Sequence, residues 1–257
     1  MEIIKNIPDT QTLLCDVGAL TQPLIISVVG AGGKTSTLFW LAELFLRSGK
    51  RVLLTTTTHM FLPEPPCPVV ICRDPATLPV AYVPSPLLAC FAGWNVVQGK
   101  AHGFSPNALD RLAARGEWDV VLVEADGARG FALKAPAEHE PCIPQSSHCV
   151  IGVTGGGLLG EPVGPQTVHR WPQFAGITGL NAGDRLDFPA LRQLVRHPQG
   201  LFKSAPSGCR RVWLINRFSH YENHDDMIQQ MLEASEVDVV WLGAVQETPP
   251  VTRRLVR

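Results

Sequence analysis

A chain of 257 residues with 45% apolar content is long enough to bury a full core, and its length fits one large domain with at most a small appendage. Its net charge of -1 excludes the strongly basic surface that covers nucleic acid, although not a local patch. No apolar run approaches the roughly 18 residues needed to span a bilayer: the longest candidate, Leu38 to Leu46, contains Glu43. Glu2, Lys5 and Asp9 do not make the basic-then-apolar start of a secretory signal. Seven scattered cysteines, with no Cys-x-x-Cys pair, suit a reducing compartment. The expectation is a cytoplasmic protein with neither nucleic-acid nor membrane partners.

Residues 1 to 23 predict a short helix and turn leading into an apolar strand, Leu24 to Val29. Glycines and a lysine-threonine pair follow at once in Gly30-Ala31-Gly32-Gly33-Lys34-Thr35, then a helix from Ser36 with Leu38, Leu41, Ala42, Phe45 and Leu46 on one side. Gly49 is its expected terminator. Arg51 to Thr58 starts as an apolar strand and ends in four threonines before His59. Between residues 61 and 86 eight prolines interrupt regular structure around a short strand at Pro68 to Cys72, which predicts a surface excursion or lid over about 61–90. Further strands are expected at Asn95 to Gln98, Asp119 to Glu124, His148 to Val153, Arg211 to Asn216 and Asp238 to Gly243, with helices near 105–115, 187–197 and 224–234. Apolar strands alternating with helices predict an α/β fold of three layers around a largely parallel sheet.

The strand–glycine–helix order is the pattern of a triphosphate cradle. A helix N-terminus offers unpaired amides and partial positive charge to a phosphate, and glycines let the backbone curl around it. Gly30, Ala31, Gly32, Gly33 and Ser36 then line the phosphates, Lys34 supplies a mobile charge, and the Thr35 hydroxyl ligates magnesium. Two residues, instead of the standard four, separate the first glycine from the Gly-Lys pair, a shortened loop that resembles that of the Mur ligase and folylpolyglutamate synthetase group. An ordinary strand-to-helix turn is the alternative. Val120 to Glu124, followed by Ala125, Asp126 and Gly127, resembles a Walker B element, with Glu124 and Asp126 two residues apart and able to face one site. Glu124 is expected to hold magnesium and Asp126 to organise a nucleophile. Thr57 and His59 are either a second magnesium or γ-phosphate sensor, or members of a threonine-rich strand.

Arg129, Lys134, His169 and Arg170 are read either as groups that stabilise phosphoryl charge or as solvated surface charges. Gly155 to Gly157 either borders the ligand or forms a plain turn. Asn216 occupies the strand end where guanine-binding proteins carry Asn-Lys-x-Asp; Arg217 and Ser219 depart from that pattern, so guanine selectivity is not supported and the base preference stays open. Cys142, three residues after His139, is read as a small apolar core residue, with a reactive thiol as the alternative.

The glycine loop from Val29 to Thr37, Thr55 to Met60, Glu124 to Ala128, Lys134 to Pro136, His139 to Pro141, Val168 to Arg170, Thr178 to Asp184 and His197 to Lys203 together resemble the YqeC family over nearly the whole chain. The resemblance implies a cytoplasmic phosphate-loop protein that serves as an accessory factor for selenium-dependent molybdenum hydroxylases or for making their selenium-containing cofactor. A hydroxylase or a molybdopterin-type cofactor is then the expected partner. Cys142 departs from the apolar residue expected at its position. Three functions follow: a Mg2+-dependent nucleoside triphosphatase or phosphoryl/adenylyl-transfer enzyme using ATP, with GTP as the alternative; a nucleotide-sensing chaperone or carrier with little turnover; or a Mur-like ATP-dependent ligase, for which the chain is short.

Overall fold

The protein is seen here as a computed structural model that describes residues 3–4, 7–18, 22–64, 66–78, 85–218 and 236–257. In chain order the elements are β1 (Ile3–Ile4), α1 (Thr10–Asp16), β2 (Leu24–Gly30), α2 (Lys34–Arg47), β3 (Val52–Thr56), β4 (His59–Phe61), β5 (Val69–Ile71), β6 (Leu87–Phe91), β7 (Gly93–Asn95) and β8 (Lys100–His102). There follow α3 (Pro106–Ala114), β9 (Val120–Glu124), β10 (Leu133–Lys134), β11 (Cys149–Gly155), β12 (Val168–His169), α4 (Trp171–Thr178), α5 (Phe188–Arg196), β13 (Arg210–Asn216), β14 (Val239–Gly243) and β15 (Val251–Val256).

Ten strands form one sheet in the order β1-β15-β14-β13-β11-β2-β9-β3-β6-β5. Every pairing from β14 to β5 is parallel, while β15 runs antiparallel to β14 and β1 antiparallel to β15. The central strands are buried along their whole length because both sheet faces are covered. Alternation sorts their side chains. Ile26, Leu122, Ile151 and Leu214 join the cluster built with α1 and α2. Ile25, Val121 and Val123 pack with α3, and Val29, Val150, Trp213 and Ile215 with α4 and α5. The successive residues face opposite sides, so the architecture is a three-layer α/β arrangement.

Several expectations change. The strand expected at Asn95 to Gln98 lies earlier, at β7, and residues 96–99 form its turn into β8. The proline-rich stretch is more than an excursion: β5 extends the main sheet, and β6, which no prediction included, pairs with β3 and buries Leu88 through Phe91. Prolines bound these strands without occupying them, which is the position a missing amide allows. Also unforeseen are α4, the antiparallel β15, the ribbon β4-β8-β7 and the two-residue parallel pair β10-β12. The helix expected near 224–234 lies outside the described residues. Among the described residues, no helix is long and apolar enough to cross a membrane.

Candidate functional site at the carboxyl edge of the central strands

β2 ends in the glycine loop, and its neighbours β9 and β11 end beside it, so three strand termini converge at one edge of the sheet. Gly30, Gly32 and Gly33 all have positive φ, as the tight turn requires. At Gly32 a Cβ would lie 2.6 Å from the Gly155 amide nitrogen and 2.7 Å from the Ala132 carbonyl, so glycine is demanded there by the protein's own backbone.

The loop amides divide into two sets. Gly30 donates to Asp126 Oδ2 (2.9 Å), Ala31 to the Val153 carbonyl (2.9 Å) and Gly32 to the Phe131 carbonyl (3.1 Å). These three amides are internal ties, and the inward-facing donor set is narrower than the glycine pattern predicts. The first bond of α2 runs from Thr37 N to the Gly33 carbonyl, and no side chain caps the helix start. The amides of Lys34, Thr35 and Ser36 therefore have no acceptor inside the helix, and the positive end of its dipole lies there.

Lys34 is 5% exposed and folds back over the loop. Its Nζ donates to the Gly30 carbonyl at 2.9 Å and lies 3.3 Å from Asp126 Oδ1 and 3.9 Å from Glu124 Oε1. Thr35 Oγ1 donates to Glu124 Oε2 at 2.8 Å, joining α2 to the end of β9. Burial pushes the Glu124 carboxyl up from its ordinary value, while Lys34 and the Thr35 hydrogen bond pull it back. Asp126 is 2% exposed, and its Oδ1 has no hydrogen-bond partner despite the nearby lysine. That oxygen is held by charge, 3.3 Å from Lys34 Nζ, and not by a directed hydrogen bond.

Beyond Asp126 the charges continue to alternate. Lys134 Nζ reaches Asp126 Oδ2 and Glu140 Oε2, each at 2.8 Å, and the Arg170 guanidinium binds both Glu140 oxygens at 2.5 and 3.1 Å. Burial favours the neutral form of Glu140, but the hydrogen bonds from Arg170 and Lys134, with their charges, prevail and hold its pKa at about 2.

The remaining predicted residues separate. Asn216, 3% exposed, donates from Nδ2 to the Gly32 carbonyl (2.8 Å) and accepts at Oδ1 from Val245 N (3.0 Å). It stands at the end of β13, as expected, and there its side chain positions the glycine loop. The Thr57 hydroxyl proton goes to the Cys142 carbonyl (2.7 Å); it is Thr56 whose hydroxyl contacts Glu124, through the carbonyl oxygen at 2.7 Å. The Thr57 hydroxyl thus does not reach the Thr35–Glu124 pair, although the Thr57 amide donates to the Glu124 carbonyl at 3.0 Å. His59 is exposed on β4, opposite His102 of β8. Burial, then the charges of Glu140 and Asp126, push the Cys142 thiol up, away from the thiolate a nucleophile needs. A cleft of about 600 Å³ opens at the opposite edge of the sheet, lined in part by Ser147, His148, Cys209 and Arg210. Three of its polar side chains make internal bonds: Ser147 Oγ with Ser27 Oγ, His148 Nδ1 accepting from Ile25 N, and Arg210 Nε donating to the Asp16 carbonyl.

Fold and site together define an α/β protein with a glycine-loop helix start facing paired carboxylates at the carboxyl edge of its sheet. The model of the YqeC family, described as "YqeC protein", matches residues 26–172, more than half of the chain. A relative from Escherichia coli (strain K12), "Uncharacterized protein YqeC", is 57% identical over 255 residues, covering 98% of this chain and 100% of its own length. The chain belongs to the YqeC family. No solved structure matches it.

Proposed function

We propose that this YqeC-family protein is a Mg2+-dependent nucleoside-triphosphate-binding protein of the phosphate-loop class, with ATP as its ligand and GTP as the alternative. The observation that carries the reading is the coincidence, within one cluster, of three uncapped helix amides, the Thr35–Glu124 contact at 2.8 Å and the Lys34–Asp126 ion pair at 3.3 Å. Hydroxyl and carboxylate oxygens are the hard donors a magnesium ion takes, so the residues present fit it. Thr35 and Glu124 would hold the ion, whose charge screens the phosphates when bound. The amides of Lys34, Thr35 and Ser36 bind a phosphate at the positive helix end, and Lys34 turns from its carboxylates toward it. Asp126, anchored by the Gly30 amide and Lys134, organises the nucleophile.

The role in maturing selenium-dependent molybdenum hydroxylases or their selenium-containing cofactor rests on the family resemblance alone and belongs to the same proposal. Calorimetric titration of Mg-ATP and Mg-GTP tests the binding step. Lys34→Ala is expected to weaken binding at least about 100-fold, near 2.7 kcal/mol; affinity within threefold of the unaltered chain rejects the assignment. Multiple turnover of the bound nucleotide separates an enzyme from a carrier, and carboxylate-dependent ADP release separates a ligase from both.

A further inference from the structure

Beside the glycine loop lies a second group of cations, of which the triphosphate reading uses only Lys134, as an anchor of Asp126. Its scaffold is the pair β10-β12, two residues on each side, which stands apart from the main sheet and sets Lys134 directly opposite His169. The next residue, Arg170, has φ +59°, and Arg129, at the far end of the turn leading to β10, has φ +49°. Left-handed backbone is uncommon outside glycine and persists only where the surroundings enforce it. Here it falls on two arginines on one side of the site. Both, with Lys134, lie close enough for their charges to reinforce burial in pushing the His169 imidazole below its ordinary value, toward the neutral form. His169 stacks on Phe131 at 5.6 Å between ring centroids, and Phe131 in turn accepts the Gly32 amide, so the stack adjoins the glycine loop.

Glu140 organises this group. It fixes Arg170 and Lys134 by hydrogen bonds, and Lys134 also meets Asp126, which is one ion-pair step from Lys34. Arg129 is exposed, and no counterion holds it among the described residues. We propose that Arg129 and Arg170, seated on the Lys134–Glu140 pair beside the Phe131–His169 stack, form a second oxyanion subsite that receives an anionic group of the second substrate. That substrate is then a phosphate- or carboxylate-bearing molecule held next to the triphosphate cradle. The inference names the second substrate's class and so rests on the triphosphate reading.

The test titrates inorganic phosphate, and separately acetate, into the full-length protein preloaded with a non-hydrolysable Mg-ATP analogue, and into the Lys34→Ala variant without nucleotide. Phosphate or acetate should bind in both backgrounds, and Arg129→Ala should weaken that binding at least fivefold, with Arg129→Lys recovering part of it. Preference for phosphate over acetate, or the reverse, identifies which oxyanion the subsite takes. Anion binding that is absent, or indifferent to Arg129, overturns the subsite even if Mg-ATP binds. Absence of Mg-ATP binding with Arg129-dependent anion binding in Lys34→Ala overturns the triphosphate reading and leaves the subsite standing.

Discussion

Two buried aspartates in this molecule occupy opposite kinds of ionic environment. Asp16, at the end of α1, is fully buried, and both its oxygens are taken: Oδ2 accepts from Trp241 Nε1 (2.8 Å) and Arg254 Nε (2.6 Å), and Oδ1 from the same guanidinium at 2.5 Å. Asp126 is almost as buried, yet it sits between two lysines and keeps one oxygen without a hydrogen bond. The choice of cation differs for a physical reason. A planar arginine fork locks two oxygens in one geometry, whereas a lysine is a mobile point charge that can leave a carboxylate for another anion. One cluster is closed and ties α1 to β14 and β15; the other is left open at the sheet edge where the strand termini meet.

The largest expected effect tests the closed cluster. Asp16→Ala strands Arg254 and Trp241 Nε1 in a nearly buried position, and urea denaturation should show a loss of about 3–5 kcal/mol. A loss below about 1 kcal/mol would mean that the pair is not the structural tie described here. The open cluster is sharpened by Lys34→Arg. If a mobile point charge is what the site needs, the fork should not replace it, and Mg-ATP affinity should fall at least tenfold, about 1.4 kcal/mol. Full affinity in that variant would erase the contrast between the two cations.

The smallest effect is a matter of pH. The Glu140 pKa of about 2 lies below the ordinary 4.5, so its contribution to stability is complete above pH 4.5 and is lost as pH falls toward 2. Glu124 works in the opposite sense: its carboxyl is pushed up, so protonation in the folded state adds stability as pH falls from that raised value toward 4.5. The stability difference between the unaltered chain and Glu140→Gln should therefore shrink between pH 4.5 and 2, measured by denaturant titration at each pH. A difference that stays constant across that window would show that the ion pairs do not hold Glu140 charged.

The periodic features of this fold were legible in the sequence because they are local. The buried runs of β2, β9, β11, β13 and β14, the amphipathic α2 and the glycine turn each state their conformation within a few residues, and Glu124 and Asp126 follow from one strand's end. β6 was hidden by the prolines before it, and β15 by its charged Arg253 and Arg254. The tertiary structure alone decided which groups the site leaves free. Gly30, Ala31 and Gly32 lost their amides to Asp126, Val153 and Phe131, and Asn216 became the anchor of a carbonyl 184 positions away. Lys134 met His169 through a ladder only two residues long, far too short to carry a signal of its own. A hydrogen-bond partner that distant leaves no periodicity in the chain, because its selection depends on how separate strands close into one sheet.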